Sequence, residues 1–309
     1  MLVWTITRDG SSEPFTVESG DMEPSRELVL FDANRIPDFS EGVYCIEVTL
    51  VDWASSLEVE AIIVDSESSL LPYSTADAIL GPTPILLIGD SISCGYAVSK
   101  EDGGQPIPRG YLDAFPTIAQ RLLSRYGGSP HILFETISYP GVTLVNPTAE
   151  EAEEGMAEGM LAKFFQVSPW DSALCSSHRN KPSVVMIALG TNDDALDVST
   201  ESFSASFNEL IGRLFQLYES SLACVIFIEP FPDFTEGDDI EPSTLSSCIP
   251  AVFEQLRQRY EHVTFHSINI SSGIERRHTM DGLHPNVKGH EVLGKNLADQ
   301  LCIILKPVI

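Results

Sequence analysis

The sequence predicts an α/β domain whose parallel sheet is covered by helices on both faces, preceded by a small all-β, jelly-roll-like domain. From residue 84 onward, apolar runs of strand length alternate with amphipathic helical patterns, which is typical of a parallel sheet. Residues 1–80 instead contain short β-branched and aromatic stretches separated by turn signals. The chain has 309 residues, more than the roughly 250–300 that one core usually serves. We therefore expect two domains, 1–80 and 84–309.

The elements of the first domain are predicted to be antiparallel strands, because almost no helical periodicity interrupts them. The four β-rich segments are LVWTITRDG (2–10), ELVLFD (27–32), GVYCIEVTLVDW (42–53) and LEVEAIIVD (57–65).

The second domain alternates strand and helix patterns in order along the chain. The predicted strands are PILLIGD (84–90), ILFETIS (132–138), SVVMIAL (183–189), LACVIFI (222–228) and HVTFHSINI (262–270). The predicted helices are 117–128, 202–220, 249–260 and 290–305, each with apolar residues at helical spacing. Such sheets bind ligands at the carboxyl ends of their strands, so the residues that follow each apolar run are the candidates for function.

The charge of the chain excludes some classes of partner. Its 45 acidic and 18 basic residues give a formal charge of −27, which disfavours nucleic acids and anionic membranes. No apolar run reaches the length of a membrane span, about 20 residues, and no signal peptide is evident. The six cysteines are scattered and fit buried free thiols. We expect a cytoplasmic protein, or a secreted one only if the given chain lacks its native N-terminus.

Four short motifs stand at or near the predicted loops. Three follow strands, namely Gly89-Asp90-Ser91, Tyr139-Pro140-Gly141 and Gly190-Thr191-Asn192-Asp193. The fourth, Asp281-Gly282-Leu283-His284-Pro285, precedes the last helix. Each motif alone recurs by chance, but the four in this order form a specific signal.

In these motifs the sequence resembles the SGNH hydrolases, the GDSL-type serine hydrolase superfamily, over roughly residues 84–305. The stretch IGDSISCGYA after a β-rich region, together with FFQVSPWD, is most similar to carbohydrate esterase family 2, in which a jelly-roll domain precedes the hydrolase domain. The resemblance implies a three-layer α/β/α, flavodoxin-like catalytic domain. It also implies that the four block residues of the superfamily are Ser91, Gly141, Asn192 and His284.

The residue types fit nucleophilic ester hydrolysis. A serine hydroxyl needs a neighbouring base, and that base needs an orienting group. We expect Ser91 to be the nucleophile, at a turn from strand to helix, with His284 as its base. Asp281 is the expected orienting group, and a backbone carbonyl is the alternative.

The tetrahedral intermediate also needs hydrogen-bond donors for its oxyanion. The resemblance implies three of them, which are the backbone N–H groups of Ser91 and Gly141 and the side-chain amide of Asn192. We expect Asp90 and Asp193 to hold their own loops.

The substrate implied by the resemblance is a short-chain ester, with acetyl as the acyl group and a sugar hydroxyl as the alcohol. A small molecule or an oligosaccharide ester would therefore be the partner, and Tyr96, Trp170 and Phe231 are candidates for stacking on it. No spacing of a zinc site or nucleotide motif occurs, so we expect no metal and no cofactor. The alternatives are a general short-chain carboxylesterase or acyltransferase, and a non-catalytic carbohydrate-binding protein on a hydrolase scaffold.

Overall fold

The N-terminal residues form a small antiparallel sheet. A computed structural model describes residues 2–8, 16–20, 26–35, 39–51, 59–66, 83–97, 107–125, 132–168, 171–174, 181–218, 221–238 and 243–305. The first three strands are β1 (Leu2–Arg8), β2 (Thr16–Gly20) and β3 (Tyr44–Leu50), and β1 lies between the other two. The chain divides into two compact units, one of which contains residues 1–72 and 109–111. The boundary predicted at 80–84 lies mostly outside the described residues.

Two of the β-rich segments are not strands, so these expectations were wrong. Residues 27–32 and 59–65 have no regular strand structure. The side chains of Ile62 and Ile63 are 75% and 77% exposed, so neither packs on the face of a sheet. β-Branched composition favours a strand only where neighbouring strands and a core support it, and the described residues provide no such support here.

The second unit contains a five-stranded parallel sheet, as predicted. Its strands are β4 (Thr83–Gly89), β5 (Ile132–Ser138), β8 (Val184–Ala188), β9 (Cys224–Ile228) and β10 (Thr264–Ile268). They are ordered β5-β4-β8-β9-β10, and every neighbouring pair is parallel. The first strand along the chain thus lies between the second and the third, which is the flavodoxin-like order. A separate short hairpin joins β6 (Gln166–Ser168) to β7 (Asp171–Leu174).

Helices cover both faces of this sheet, which confirms the α/β layering. The helices are α1 (Phe115–Arg125), α2 (Ala149–Glu153), α3 (Met160–Lys163), α4 (Thr191–Ala195), α5 (Thr200–Tyr218), α6 (Ile249–Arg259) and α7 (Val287–Ile304). In β4, Leu86 and Ile88 join one buried cluster with α5 and α6, whereas Ile85 and Leu87 join another with α1 and α7. This alternation explains why the strands are apolar throughout. Among the described helices, none combines the length and apolar character needed to cross a bilayer.

Candidate active site

The candidate site lies where the strand order reverses. Gly89 lies at the carboxyl end of β4. It is in register with Ser138 of β5 on one side and with Ala188 of β8 on the other. The chain passes from β4 to β5 on one side of β4 and then crosses to β8 on the other side, and a crevice forms at such a switch point. Three of the sequence motifs follow these three strands, so the topology brings them together.

A single turn after β4 presents Ser91. The N–H of Cys94 donates to the carbonyl of Asp90 (3.2 Å), and the N–H of Tyr96 donates to the carbonyl of Ser91 (3.0 Å). Gly95 allows this turn because its φ is +70°. The described residues 91–97 contain no helix, so the expected strand-to-helix junction is instead a strand-to-turn junction.

The loop before α7 holds His284 in a fixed conformation. An isolated antiparallel bridge joins Thr279 to Pro285, and the N–H of Met280 donates to the carbonyl of His284 (2.8 Å). Gly282 has φ +96°, and a Cβ there would lie 2.9 Å from backbone atoms of Thr235. The loop therefore depends on glycine at this position, both for its backbone angle and for its close packing.

Ser91, His284 and Asp281 form a continuous hydrogen-bonded chain. The distance from Ser91 Oγ to His284 Nε2 is 3.1 Å, and that from His284 Nδ1 to Asp281 Oδ2 is 2.7 Å. If Nδ1 donates to the carboxylate, Nε2 is left as an acceptor facing the serine hydroxyl. Ser91 is 5% exposed, whereas the side chains of His284 and Asp281 are 17% and 32% exposed.

The other oxygen of Asp281 binds its own loop. Oδ1 accepts from the backbone N–H groups of Leu283 (2.9 Å) and His284 (2.7 Å). Partial burial acts to raise the pKa of Asp281, but the hydrogen bonds from His284 and Leu283 outweigh it and hold the pKa below its ordinary value. The carboxylate is therefore kept ionised beside the histidine.

Gly141 lies in the loop after β5 and Asn192 lies in the first turn of α4, and a hydrogen bond joins these two segments. Asn192 Nδ2 donates to the carbonyl of Val142 at 2.9 Å, which leaves its second N–H for another acceptor. Gly141 has φ +71°, and a Cβ there would meet no atom of the described residues within 4 Å, so this side of the residue is open to them. Within the described residues, the backbone N–H groups of Ser91 and Gly141 donate to no protein acceptor.

Two buried aspartates support these loops. Both carboxylate oxygens of Asp193 accept from the N–H of Leu144 (3.0 and 2.9 Å), and Oδ1 also accepts from Val145 (3.1 Å). Asp90 Oδ1 accepts from the N–H of Ile92 (3.0 Å). Burial, reinforced for Asp90 by the charge of Asp193, raises the pKa of Asp90 to about 7, and burial raises the pKa of Asp193 to about 6. Asp90 thus holds its own turn, as expected. Asp193 instead holds chiefly the neighbouring segment at Leu144 and Val145, so the expectation that it holds its own loop was wrong.

The three aromatic candidates have different surroundings. The ring of Tyr96 lies against the imidazole of His284, with centroids 4.9 Å apart. Phe231 is 8% exposed and packs in the core, which leaves little of its ring for stacking. Trp170 lies outside the described residues.

The described residues contain no group of three His, Cys, Asp or Glu side chains arranged to hold a metal ion.

Some supporting contacts were missed by the sequence analysis. The segment containing Phe234 and Thr235 packs on Gly282, and the N–H of Phe234 donates to the Gly282 carbonyl (2.8 Å). His290 is fully buried and its Nδ1 accepts from the N–H of Phe115 (3.3 Å) at the start of α1. The glycine within DGLHP is the one sequence signal that pointed to the first of these contacts.

Several solved structures share this fold. A family two carbohydrate esterase from Clostridium thermocellum, in complex with cellohexaose, has 18% sequence identity and a TM-score of 0.52 over 72% of this chain and 65% of that one. A family two carbohydrate esterase from Cellvibrio japonicus has 16% identity and a TM-score of 0.51 over 73% and 62% of the two chains. This chain thus spans less than two thirds of the length of either esterase.

A third structure covers nearly the whole chain. It belongs to a carbohydrate esterase whose active site is described as having divergent catalytic and non-catalytic binding functions. The match has 14% identity and a TM-score of 0.57 over 98% of this chain and 84% of that one. A search of curated proteins found no match.

A family model decides the classification. The model of the GDSL-like Lipase/Acylhydrolase family matches residues 87–292, which is more than half of the chain and contains every motif of the candidate site. Lipases and acylhydrolases cleave carboxylic esters, and the parallel sheet agrees with the expected fold. The chain belongs to the GDSL-like lipase/acylhydrolase family, within the SGNH hydrolase superfamily.

Proposed function

We propose that this protein is a serine esterase that hydrolyses short-chain esters, chiefly acetyl esters of carbohydrates, through an acyl-enzyme on Ser91. The observation that carries the proposal is the hydrogen-bonded chain from Ser91 through His284 to Asp281. Each member is held by its own backbone contacts, so the arrangement exists before substrate binds. Preorganisation of this kind is what nucleophilic catalysis by serine requires.

The proposed reaction consists of two half-reactions, acylation and deacylation, which follow the same sequence of steps. His284 Nε2 takes the proton of Ser91 as Oγ attacks the ester carbonyl, and the π electrons of that carbonyl move to its oxygen. When the tetrahedral intermediate collapses, the bond to the leaving alcohol breaks and His284 returns the proton to its oxygen. Water then repeats the sequence on the acyl-enzyme, releasing the acid and Ser91. Asp281 holds the correct tautomer and stabilises the imidazolium in both halves.

The oxyanion is stabilised by three donors in this proposal. The backbone N–H groups of Ser91 and Gly141 donate to no described protein group, and Asn192 has one N–H beyond its bond to Val142. Gly141 also has open space where a side chain would block the approach of substrate. Removal of one donor from such a site commonly costs about 3–4 kcal/mol of transition-state stabilisation.

The proposal of a carbohydrate ester is supported by the similarity to solved carbohydrate esterases and by the net charge of this chain. The structural relatives include a carbohydrate esterase in complex with cellohexaose. A chain with a formal charge of −27 is suited to a neutral partner, because it would repel polyanions at a distance. An alcohol accepting the acyl group in place of water would make the same site an acyltransferase.

A non-catalytic binding protein is the second candidate. One structural relative is described as having both catalytic and non-catalytic binding functions. The intact contact between Ser91 and His284 favours catalysis here, because a site that only bound sugar would have no need of an oriented base.

Hydrolysis of p-nitrophenyl esters of increasing chain length, beside acetylated xylan and acetylated glucomannan, tests the proposal. We expect fastest turnover with acetate, and loss of nearly all activity in Ser91→Ala. The matched control is Ser124→Ala, which removes an exposed serine of α1 and should retain wild-type activity. Preference for butyrate or longer esters would contradict the acetyl specificity. Full activity of Ser91→Ala would contradict the assignment of the nucleophile, and inactivity on every ester would favour the binding protein.

A further inference from the structure

The turn that carries the nucleophile also places an aromatic ring on the base. Tyr96 lies five positions after Ser91, and its N–H donates to the Ser91 carbonyl at 3.0 Å. Its ring centroid is 4.9 Å from that of His284, and the two planes are inclined by 52°. Because this turn holds both Ser91 and Tyr96, the position of the ring is tied to that of the nucleophile.

The contact with Tyr96 does not use the imidazole nitrogens of His284, because both of them already have hydrogen-bond partners. Nδ1 is hydrogen-bonded to Asp281, and Nε2 is hydrogen-bonded to Ser91 Oγ. The centroid of the Tyr96 ring is also within the distance of about 6 Å at which an aromatic ring attracts a cation, and His284 becomes a cation during the reaction.

We propose that Tyr96 is a positioning residue that favours the imidazolium form of His284 during acylation and deacylation. The inference rests on the proposed function. In each half-reaction a proton reaches Nε2, from Ser91 Oγ in acylation and from water in deacylation, while a new bond to the carbonyl carbon forms. The proton leaves to the departing alcohol oxygen or to Ser91 Oγ as the old bond breaks. Tyr96 acts only while His284 carries that proton, so its effect is on the transition states.

This role differs from the sugar stacking that the sequence suggested for Tyr96. A ring that stacks on sugar would change KM for acetylated carbohydrates and leave esters without a sugar unaffected. A ring that acts through His284 changes kcat for every ester, whatever its alcohol. The two roles therefore separate in a comparison of p-nitrophenyl acetate with glucose pentaacetate.

The test compares Tyr96→Leu and Tyr96→Met, which lack the ring, with Tyr96→Phe, which keeps it. We expect kcat on both acetates to fall about 2- to 30-fold in the ring-free variants, the range of a cation–π contact. We expect Tyr96→Phe to stay within twofold of wild type. The acid limb of the kcat profile should move to lower pH by about half to one unit in the ring-free variants, since the cation loses stabilisation. A purely structural residue would not move that limb.

Tyr260→Leu is the matched control, because it removes a half-buried tyrosine that stacks on Phe215 at 3.7 Å. It should leave kcat and the pH profile unchanged. Values of kcat within twofold of wild type in both ring-free variants, or a change confined to KM for glucose pentaacetate, would overturn the inference. Failure of the proposed function is distinguishable, because the wild type would then turn over no ester, or Ser91→Ala would turn over p-nitrophenyl acetate at the wild-type rate.

Discussion

Replacement of Asp281 by asparagine tests how the proposed base is oriented. In wild type, Oδ1 accepts two backbone N–H groups and Oδ2 faces His284 Nδ1 at 2.7 Å. The amide oxygen of asparagine must remain at the Oδ1 position, because an NH₂ group there would face two donors. The NH₂ group therefore faces Nδ1 and forces the imidazole proton onto Nε2. In that tautomer His284 cannot accept the proton of Ser91.

Two losses set the magnitude of this effect. The charge-assisted bond from carboxylate to imidazolium contributes about 1.5–3 kcal/mol. The correct imidazole tautomer would be restored only if the asparagine amide flipped. The backbone N–H groups of Leu283 and His284 would then lose their acceptor, which costs about 2–4 kcal/mol for the two together. The sum of roughly 4–7 kcal/mol corresponds to about 10³- to 10⁵-fold in kcat, in line with the loss of about 10⁴-fold when a triad aspartate becomes asparagine in a serine protease.

The assay is kcat for p-nitrophenyl acetate at neutral pH, with thermal unfolding to confirm that the variant is folded. Asp299→Asn is the matched control, because Asp299 forms an exposed ion pair with Lys295 on α7. It should retain kcat within about twofold, as surface pairs of this kind contribute little. If Asp281→Asn keeps more than a tenth of the wild-type kcat, the carboxylate is not the main orienting group, and a backbone carbonyl becomes the better candidate.

Three further variants test the oxyanion donors, the histidine loop and the buried carboxylate. Asn192→Ala should lower kcat by about 10²- to 10³-fold with little change in KM; a loss below fivefold would remove Asn192 from the oxyanion site. Gly282→Ala should both destabilise the protein and lower kcat, because its Cβ would lie 2.9 Å from the Thr235 backbone at φ +96°, and unchanged melting and kinetics would refute this. Burial raises the pKa of Asp90 to about 7. The stability that this carboxyl gives the folded state in its protonated form is therefore fully present below about pH 4 and is lost as the pH rises toward 7. Asp90→Asn should therefore flatten the fall in Tm between pH 5 and 7; an unaltered pH dependence of Tm would contradict the shift.

The sheet and the proposed catalytic residues could be predicted because both depend on local sequence. Strands buried on two faces are apolar throughout, so β4, β8 and β9 were recognisable as runs. Ser91, Gly141 and Asn192 come two, three and four residues after the ends of β4, β5 and β8, and a parallel sheet brings such positions to one edge. Their grouping thus followed from topology without any knowledge of the loops.

The remaining features depend on tertiary contacts that no local pattern reveals. Residues 59–65 have the composition of a strand, yet Ile62 and Ile63 are exposed and no strand forms. The core packing of Phe231 and the contact of Tyr96 with His284 depend on which loops meet across the site. The bond from Asn192 to the Val142 carbonyl joins residues 50 positions apart. Sequence pattern carries no information on such pairings.

Covalent labelling of the nucleophile is the most direct test of the central claim that Ser91 is an activated nucleophile. A fluorophosphonate that mimics the tetrahedral intermediate should label the intact protein once, and peptide mass spectrometry should place the label on Ser91. Ser91→Ala should not be labelled, and His284→Ala should be labelled far more slowly because the serine loses its base. Stoichiometric labelling at another residue, or labelling of Ser91 that does not depend on His284, would contradict the account.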